Sequence, residues 1–145
     1  MRKKIGFGLF LFSVLFLGIG IWLWNKPHRT AEDEKPFATL SAGALLTEFA
    51  TNETATTEKY RDKVIQISGE LIKAAADSSG NVQVVLEAGD EMNTVSVTLM
   101  NGATVPKETP GTMIDVKGIC NGFLPDDLLG SEVLLNQGVV VNQTK

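Results

Sequence analysis

Residues 59–74 read K-Y-R-D-K-V-I-Q-I-S-G-E-L-I-K-A, and past Lys63 the positions Ile65, Ile67, Gly69 and Leu71 fall on alternate residues. Apolar alternation at period two marks a strand with one buried face, and a glycine inside such a run marks a sharp bend or a close backbone approach. The phrase apolar-x-apolar-x-Gly returns as Ile114-Asp115-Val116-Lys117-Gly118 and runs on through Ile119 to Cys120. Two strands that each bend at a glycine allow a small sheet to close on itself, so the pattern predicts a compact β-barrel.

Between these strands lies a hairpin. A turn at 77–81 leads to Val82, Val84 and Leu86 alternating with Gln83, Val85 and Glu87; a second turn at 88–91 leads to Val95, Val97 and Leu99 alternating with Thr94, Ser96 and Thr98. One face is apolar and the other largely polar, as expected of an antiparallel pair with one side on the core. Residues 100–111, with Pro106 and Pro110, form a connection. The bent strand at 112–120 is followed by a loop at 121–130 and a last strand at 131–142, interrupted by Gly138. The expected count is five strands.

Ahead of the first strand, Leu45, Leu46, Phe49 and Ala50 recur at helical spacing, with Thr39 or Ser41 available as the cap. This short amphipathic helix needs a surface to lean on, and an open barrel end is the natural one. The threonines of 52–58 weaken its continuation, which predicts a break or a second turn capped by Asn52. Residues 25–38, with two prolines and mixed charge, read as a solvated linker, and the lone His28 within it has no neighbours at metal-ligand spacing.

Residues 5–24 carry no ionisable side chain. At ~1.5 Å per residue that run spans roughly 30 Å, the thickness of a bilayer core. A cleaved signal peptide has a shorter apolar core ending in a small-x-small site, whereas this run ends in Trp22-Leu23-Trp24, residues suited to a membrane interface. The expectation is an uncleaved transmembrane helix. The basic head at 1–4 outweighs Lys26 and Arg29 behind the span, which puts the N-terminus in the cytoplasm and the domain of 39–145 outside it, in the periplasm of a two-membrane bacterium.

All 17 acidic residues lie beyond Ala31 with 8 of the 13 basic ones, so that part carries 8 − 17 = −9. Such a charge disfavours polyanionic partners. The domain contains no histidine, which excludes Ser-His-Asp and Cys-His catalysis by this chain alone. The single Cys120 cannot form an intrachain disulfide, and its phase with Ile114, Val116 and Gly118 points it at the core. Asp126 and Asp127, near Glu132, offer an acid pair or a weak cation site, but they lack calcium-loop spacing and read rather as a solvated loop. No cofactor motif is present.

The run Leu45-x-x-x-Phe49-x-x-Asn52-Glu53, continued by Tyr60-x-x-Lys63-Val64-Ile65-x-Ile67-x-Gly69 and later by Val116-Lys117-Gly118-Ile119-Cys120-x-Gly122, resembles the bacterial tRNA_anti-like family of OB-fold proteins. The resemblance covers roughly residues 40–141. It implies a mainly β chain, a five-stranded OB-fold barrel preceded by the short helix, and no established activity. It also implies a cross-barrel cysteine pair that Val97 and Gly138 make unavailable here.

OB-folds that hold single strands use aromatic platforms in a basic groove, and the hairpin strands here contain no Phe, Tyr, Trp, Lys or Arg. The expected function is therefore a membrane-tethered, non-catalytic interaction module whose partner is another envelope protein. Its expected surface is the polar hairpin face, Gln83, Glu87, Thr94, Ser96 and Thr98, with Phe123, Leu124, Asp126, Asp127 and Leu128 of the following loop; the apolar side chains of that loop, Phe123, Leu124, Leu128 and Leu129, fit a barrel plug equally well. The alternatives are an oligonucleotide-binding OB protein and a cation-binding envelope protein.

Overall fold

The computed structural model of the chain describes residues 18–20, 31–76, 78–90, 92–103, 109–126 and 128–143. In chain order the elements are β1 (Ala38–Ser41), α1 (Ala42–Thr51), α2 (Glu53–Tyr60), β2 (Val64–Ala76), β3 (Val82–Glu87), β4 (Thr94–Leu99), β5 (Met113–Leu124) and β6 (Glu132–Gln143).

β2 is the strand around which the barrel closes. Its first half pairs antiparallel with β5, Ile67 opposite Val116, and its second half pairs antiparallel with β3, Ala74 opposite Val84. Gly69 stands at the change-over. A Cβ there would lie 3.0 Å from the Leu86 Cβ and 3.2 Å from the Ala42 Cβ, so its absence lets β3 and the start of α1 close on the bend. β3 and β4 form the expected hairpin, β6 runs parallel to β4 and antiparallel to β5, and the β2–β5 pairing completes a closed five-stranded barrel. At Gly118 a Cβ would meet the Leu135 side chain at 3.1 Å. Both glycines picked out by the repeated phrase are thus points of close packing.

The interior holds the predicted stripe: Ile65, Ile67, Leu71, Val97 and Val116 are all buried, and Cys120 lies among them. α1 begins at Ser41, whose Oγ accepts the Ala44 N–H at 3.2 Å, and buries Leu45 and Phe49 while Ala50 faces solvent. The break at Asn52 is present, and its Oδ1 accepts the Ala55 N–H at 3.0 Å. α2 then runs for two turns, fastened by the Thr56 hydroxyl donating to the Glu48 carbonyl at 2.9 Å.

Three boundaries differ from the sequence expectation. Lys59 and Tyr60 end α2 rather than begin the strand, because the Tyr60 ring is buried and meets Phe37 edge-on at 6.2 Å, and Asp62 turns the chain at φ 58. Residues 38–41, read as linker and helix start, form a sixth strand lying parallel on β2, Ala38 opposite Ile65. The linker's second half also lies on the barrel: the Lys117 ammonium donates to the carbonyls of Glu32 and Glu34 at 2.8 and 2.9 Å, and the Phe37 N–H donates to the Val64 carbonyl at 2.7 Å. These ties run through the main chain, which composition does not reveal. β5 continues to Leu124, past the predicted end at Cys120.

Of the predicted transmembrane segment only Gly18–Gly20 are described, and they are helical; Trp22, Trp24, the basic head and His28 lie outside the described residues. Among the described residues no helix is long and apolar enough to cross a membrane.

Candidate ligand-binding face

The outward residues of the hairpin stand in register: Gln83 opposite Thr98, Val85 opposite Ser96, and Glu87 opposite Thr94. The rows extend to β6, where Thr94 meets Glu132 and Ser96 meets Leu134, and to β2, where Lys73 meets Val85. Over these rows lies a groove of about 570 Å³. Val85 and Ser96 form its floor, and Ile72 and Lys73 of β2 form one wall. Leu124, Leu129 and Gly130 form the other, with Met92 of the β3–β4 turn at the end. The Ser96 hydroxyl donates to the Glu132 carboxylate beside it.

The second wall is held in place by its own polar side chains. The Asp126 carboxylate accepts the N–H groups of Leu128 and Leu129, each at 2.8 Å, and these bonds, Leu129's first, hold its carboxyl below the usual range. Asp90 does the same for the β3–β4 turn, accepting the N–H groups of Asn93 at 2.8 Å and Met92 at 3.0 Å. The two turns are stapled together: the Ser131 N–H donates to the Asn93 Oδ1 at 2.8 Å and the Thr94 N–H donates to the Ser131 carbonyl at 3.0 Å. Polar side chains that bond local N–H groups give such turns a fixed shape.

Of the residues singled out from sequence, Gln83, Thr94, Ser96, Leu124 and Asp126 line this groove. Ser96 is only 2% exposed, so it is floor rather than open surface, shielded by the longer side chains around it. Glu87 and Thr98 stand on the same face at its two ends. Phe123 turns the other way: the β5–β6 register slips between Cys120 and Gly122, so Phe123 pairs with Val133 and stacks on Phe49 at 5.1 Å. Leu128 is 84% exposed outside the groove, and Asp127 lies outside the described residues.

Sequence reasoning missed Ile72, Lys73, Val85 and Met92. The one available signal was Val85, an apolar residue at a polar position of the alternation. Among the described residues no three metal-ligating side chains come together. Asp126 and Glu132 are each engaged as above, with Leu128 and Leu129 N–H groups and with Ser96.

Burial pushes the Cys120 thiol up to about 11. Its folded pKa exceeds the unfolded value of about 8.5, so its contribution to stability is complete below that value and is lost as pH rises toward 11. Native protein at pH 8 should therefore resist thiol-directed alkylation over hours while denaturant-unfolded protein reacts within minutes; equal rates would place Cys120 outside the core.

The tRNA_anti-like family model matches residues 1–139. Among solved structures, the chain is similar to a lipoprotein of Klebsiella pneumoniae subsp. pneumoniae to which nucleic-acid binding is provisionally ascribed, at 17% identity and TM-score 0.55, over 72% of this chain and 91% of that one. It is also similar to a provisionally assigned aspartyl-tRNA synthetase of Leishmania major at 12% identity and TM-score 0.45, over 83% of this chain and 24% of that one. No curated protein matches. With the match spanning nearly its whole length, and a closed five-stranded barrel as its domain, the chain belongs to the tRNA_anti-like family.

Proposed function

We propose that this is a membrane-tethered OB-fold module, anchored by residues 5–24, that holds an extended segment of another envelope protein in the β3–β4 groove outside the cytoplasm and catalyses no reaction. One observation carries the reading: the groove has aliphatic walls, the carboxylates of Asp126 and Glu132, a single cation in Lys73, and no aromatic ring among its described lining residues. Stacked bases need rings and phosphates need a positive track, whereas a peptide with apolar and basic side chains needs what this groove offers. The charge of −9 beyond Ala31 supports the same choice. The absence of histidine from the domain supports a binding role over an acid–base one. A second reading, oligonucleotide binding on this face, is favoured by the description of the Klebsiella lipoprotein.

A double variant separates the two by sign. Leu124 is 53% and Leu129 80% exposed, so changing both to lysine should leave thermal stability within about 0.5 kcal/mol of the parent. The variant adds two positive charges to the groove wall. A cationic peptide should bind it at least tenfold more weakly, whereas labelled oligothymidylate or oligouridylate, read by fluorescence anisotropy at two salt concentrations, should bind neither protein. Submicromolar oligonucleotide binding by the parent, strengthened in the variant, would replace the peptide reading with the second one.

A further inference from the structure

A second cleft, also of about 570 Å³, adjoins the groove at the far end of the hairpin. The two meet at one cross-strand pair, Gln83 lining the first and Thr98, directly opposite, lining the second. The lining of the second cleft differs in kind. Four carboxamide residues, Asn81, Asn101, Asn136 and Gln137, line it together with Thr98, and no charged side chain is among the lining residues. A carboxamide carries the same donor and acceptor pair as a peptide group, so a neutral, amide-rich cleft matches main chain better than it matches a phosphate or an ionised side chain.

Two independent features converge on Gln137. It has φ 49, a left-handed conformation uncommon outside glycine, at the register slip where two residues of β6 oppose one of β4 between Val97 and Leu99. The fold holds it there although Gly138, next in sequence, has its own reason to be glycine: a Cβ on it would overlap Val97. The Gln137 Oε1 is moreover buried with no hydrogen-bond partner among the described residues. An acceptor shut away without a donor is costly, and strained backbone bearing such a group is a feature of ligand-clamping positions. Gln137 lines the cleft, and the terminal torsion of a glutamine is soft, so its carboxamide is free to turn about that bond.

We propose that this cleft is a second subsite on the same face, in which the Gln137 side-chain oxygen accepts a main-chain N–H of the extended peptide whose side chains occupy the groove. The inference rests on the peptide reading above. From Thr94 to Thr98 is four residues, ~14 Å at about 3.4 Å per residue, so a bound strand of five or six residues reaches both sites.

The test uses the full-length protein in detergent micelles to select binders from displayed random twelve-residue peptides, and the enriched peptide is synthesised. Gln137→Gly should raise the melting temperature, because the left-handed strain is relieved, and should weaken peptide binding about tenfold. N-methylating one peptide nitrogen should weaken binding about tenfold to the parent but have little further effect on Gln137→Gly. A lowered melting temperature with unchanged affinity would make Gln137 structural and overturn the subsite, as would an N-methylation loss equal in both proteins. If the Leu124→Lys, Leu129→Lys variant loses the peptide while Gln137→Gly keeps it, the subsite fails and the groove stands. If no peptide is enriched, the peptide reading and the subsite fail together.

Discussion

Phe49→Ala should cost about 3–5 kcal/mol, the range for removing a large buried aromatic, and lower the melting temperature by about 12–20 °C at roughly 4 °C per kcal/mol for a domain of this size. Phe49 is 1% exposed and sits on the buried stripe of α1 with Leu45. Its ring stacks on Phe123 at 5.1 Å with an interplanar angle of 19°. It therefore links the helix that covers the barrel to the end of β5, and alanine would leave a hole that neither element can fill alone. Phe49→Leu should cost much less, since most of the volume stays. Combining Phe49→Ala with Phe123→Ala should show a coupling of about 0.5–1.5 kcal/mol in a double-mutant cycle. Thermal unfolding followed by circular dichroism reads the parent and all four variants. A Phe49→Ala protein within about 1 kcal/mol of the parent would mean that α1 does not close the barrel.

Gly130→Ala should have the next largest effect, and it should act on the groove as well as on stability. Gly130 has φ 92, and a Cβ on it would lie 1.9 Å from the Met92 carbonyl oxygen and 2.5 Å from its carbon. The obstacle is backbone, so no rotamer change relieves it. The loop of 125–131 would have to move away from the β3–β4 turn, losing the Ser131–Asn93 and Thr94–Ser131 bonds that join the two. The left-handed conformation costs a non-glycine residue roughly 1–2 kcal/mol and each lost bond about 1 kcal/mol, a total on the order of 3 kcal/mol. The signature that separates this from a core defect is local. Hydrogen exchange should quicken at Ser131 and Thr94, whose N–H groups make the staple, while β2 and β5 keep their protection. Unchanged exchange at those two residues would show that the loop is not held as described.

How much of this was legible in the sequence depends on what each feature rests on. The barrel was legible because alternation and glycine bends are local statements: Ile65, Ile67 and Leu71 are buried for the reason their spacing gives, and Gly69 and Gly118 are glycine because a neighbour needs the space. The caps at Ser41 and Asn52 were legible for the same reason, since each bonds three residues ahead. β1 and the docked 31–37 stretch were not, because they are held by main-chain bonds to Val64 and by Lys117 from far along the chain. The groove was half legible. Its polar positions follow from the alternation and its loop wall from the turn residues, but Val85 on its floor and the β2 wall depend on a β2–β3 register that sets Lys73 beside Val85. Phe123 illustrates the limit. The loop's apolar side chains read equally as surface or as barrel plug, and a one-residue register slip that no composition signals turned Phe123, partly buried, onto Phe49.

The most direct test of the central claim is a photo-crosslinking residue placed at Thr94, on the groove, in the full-length protein in living cells. The account predicts an adduct with an envelope protein that disappears when Leu124 and Leu129 are changed to lysine, with the altered protein still folded. An adduct with RNA or DNA, with a cytoplasmic protein, or one that survives the two lysines would contradict it.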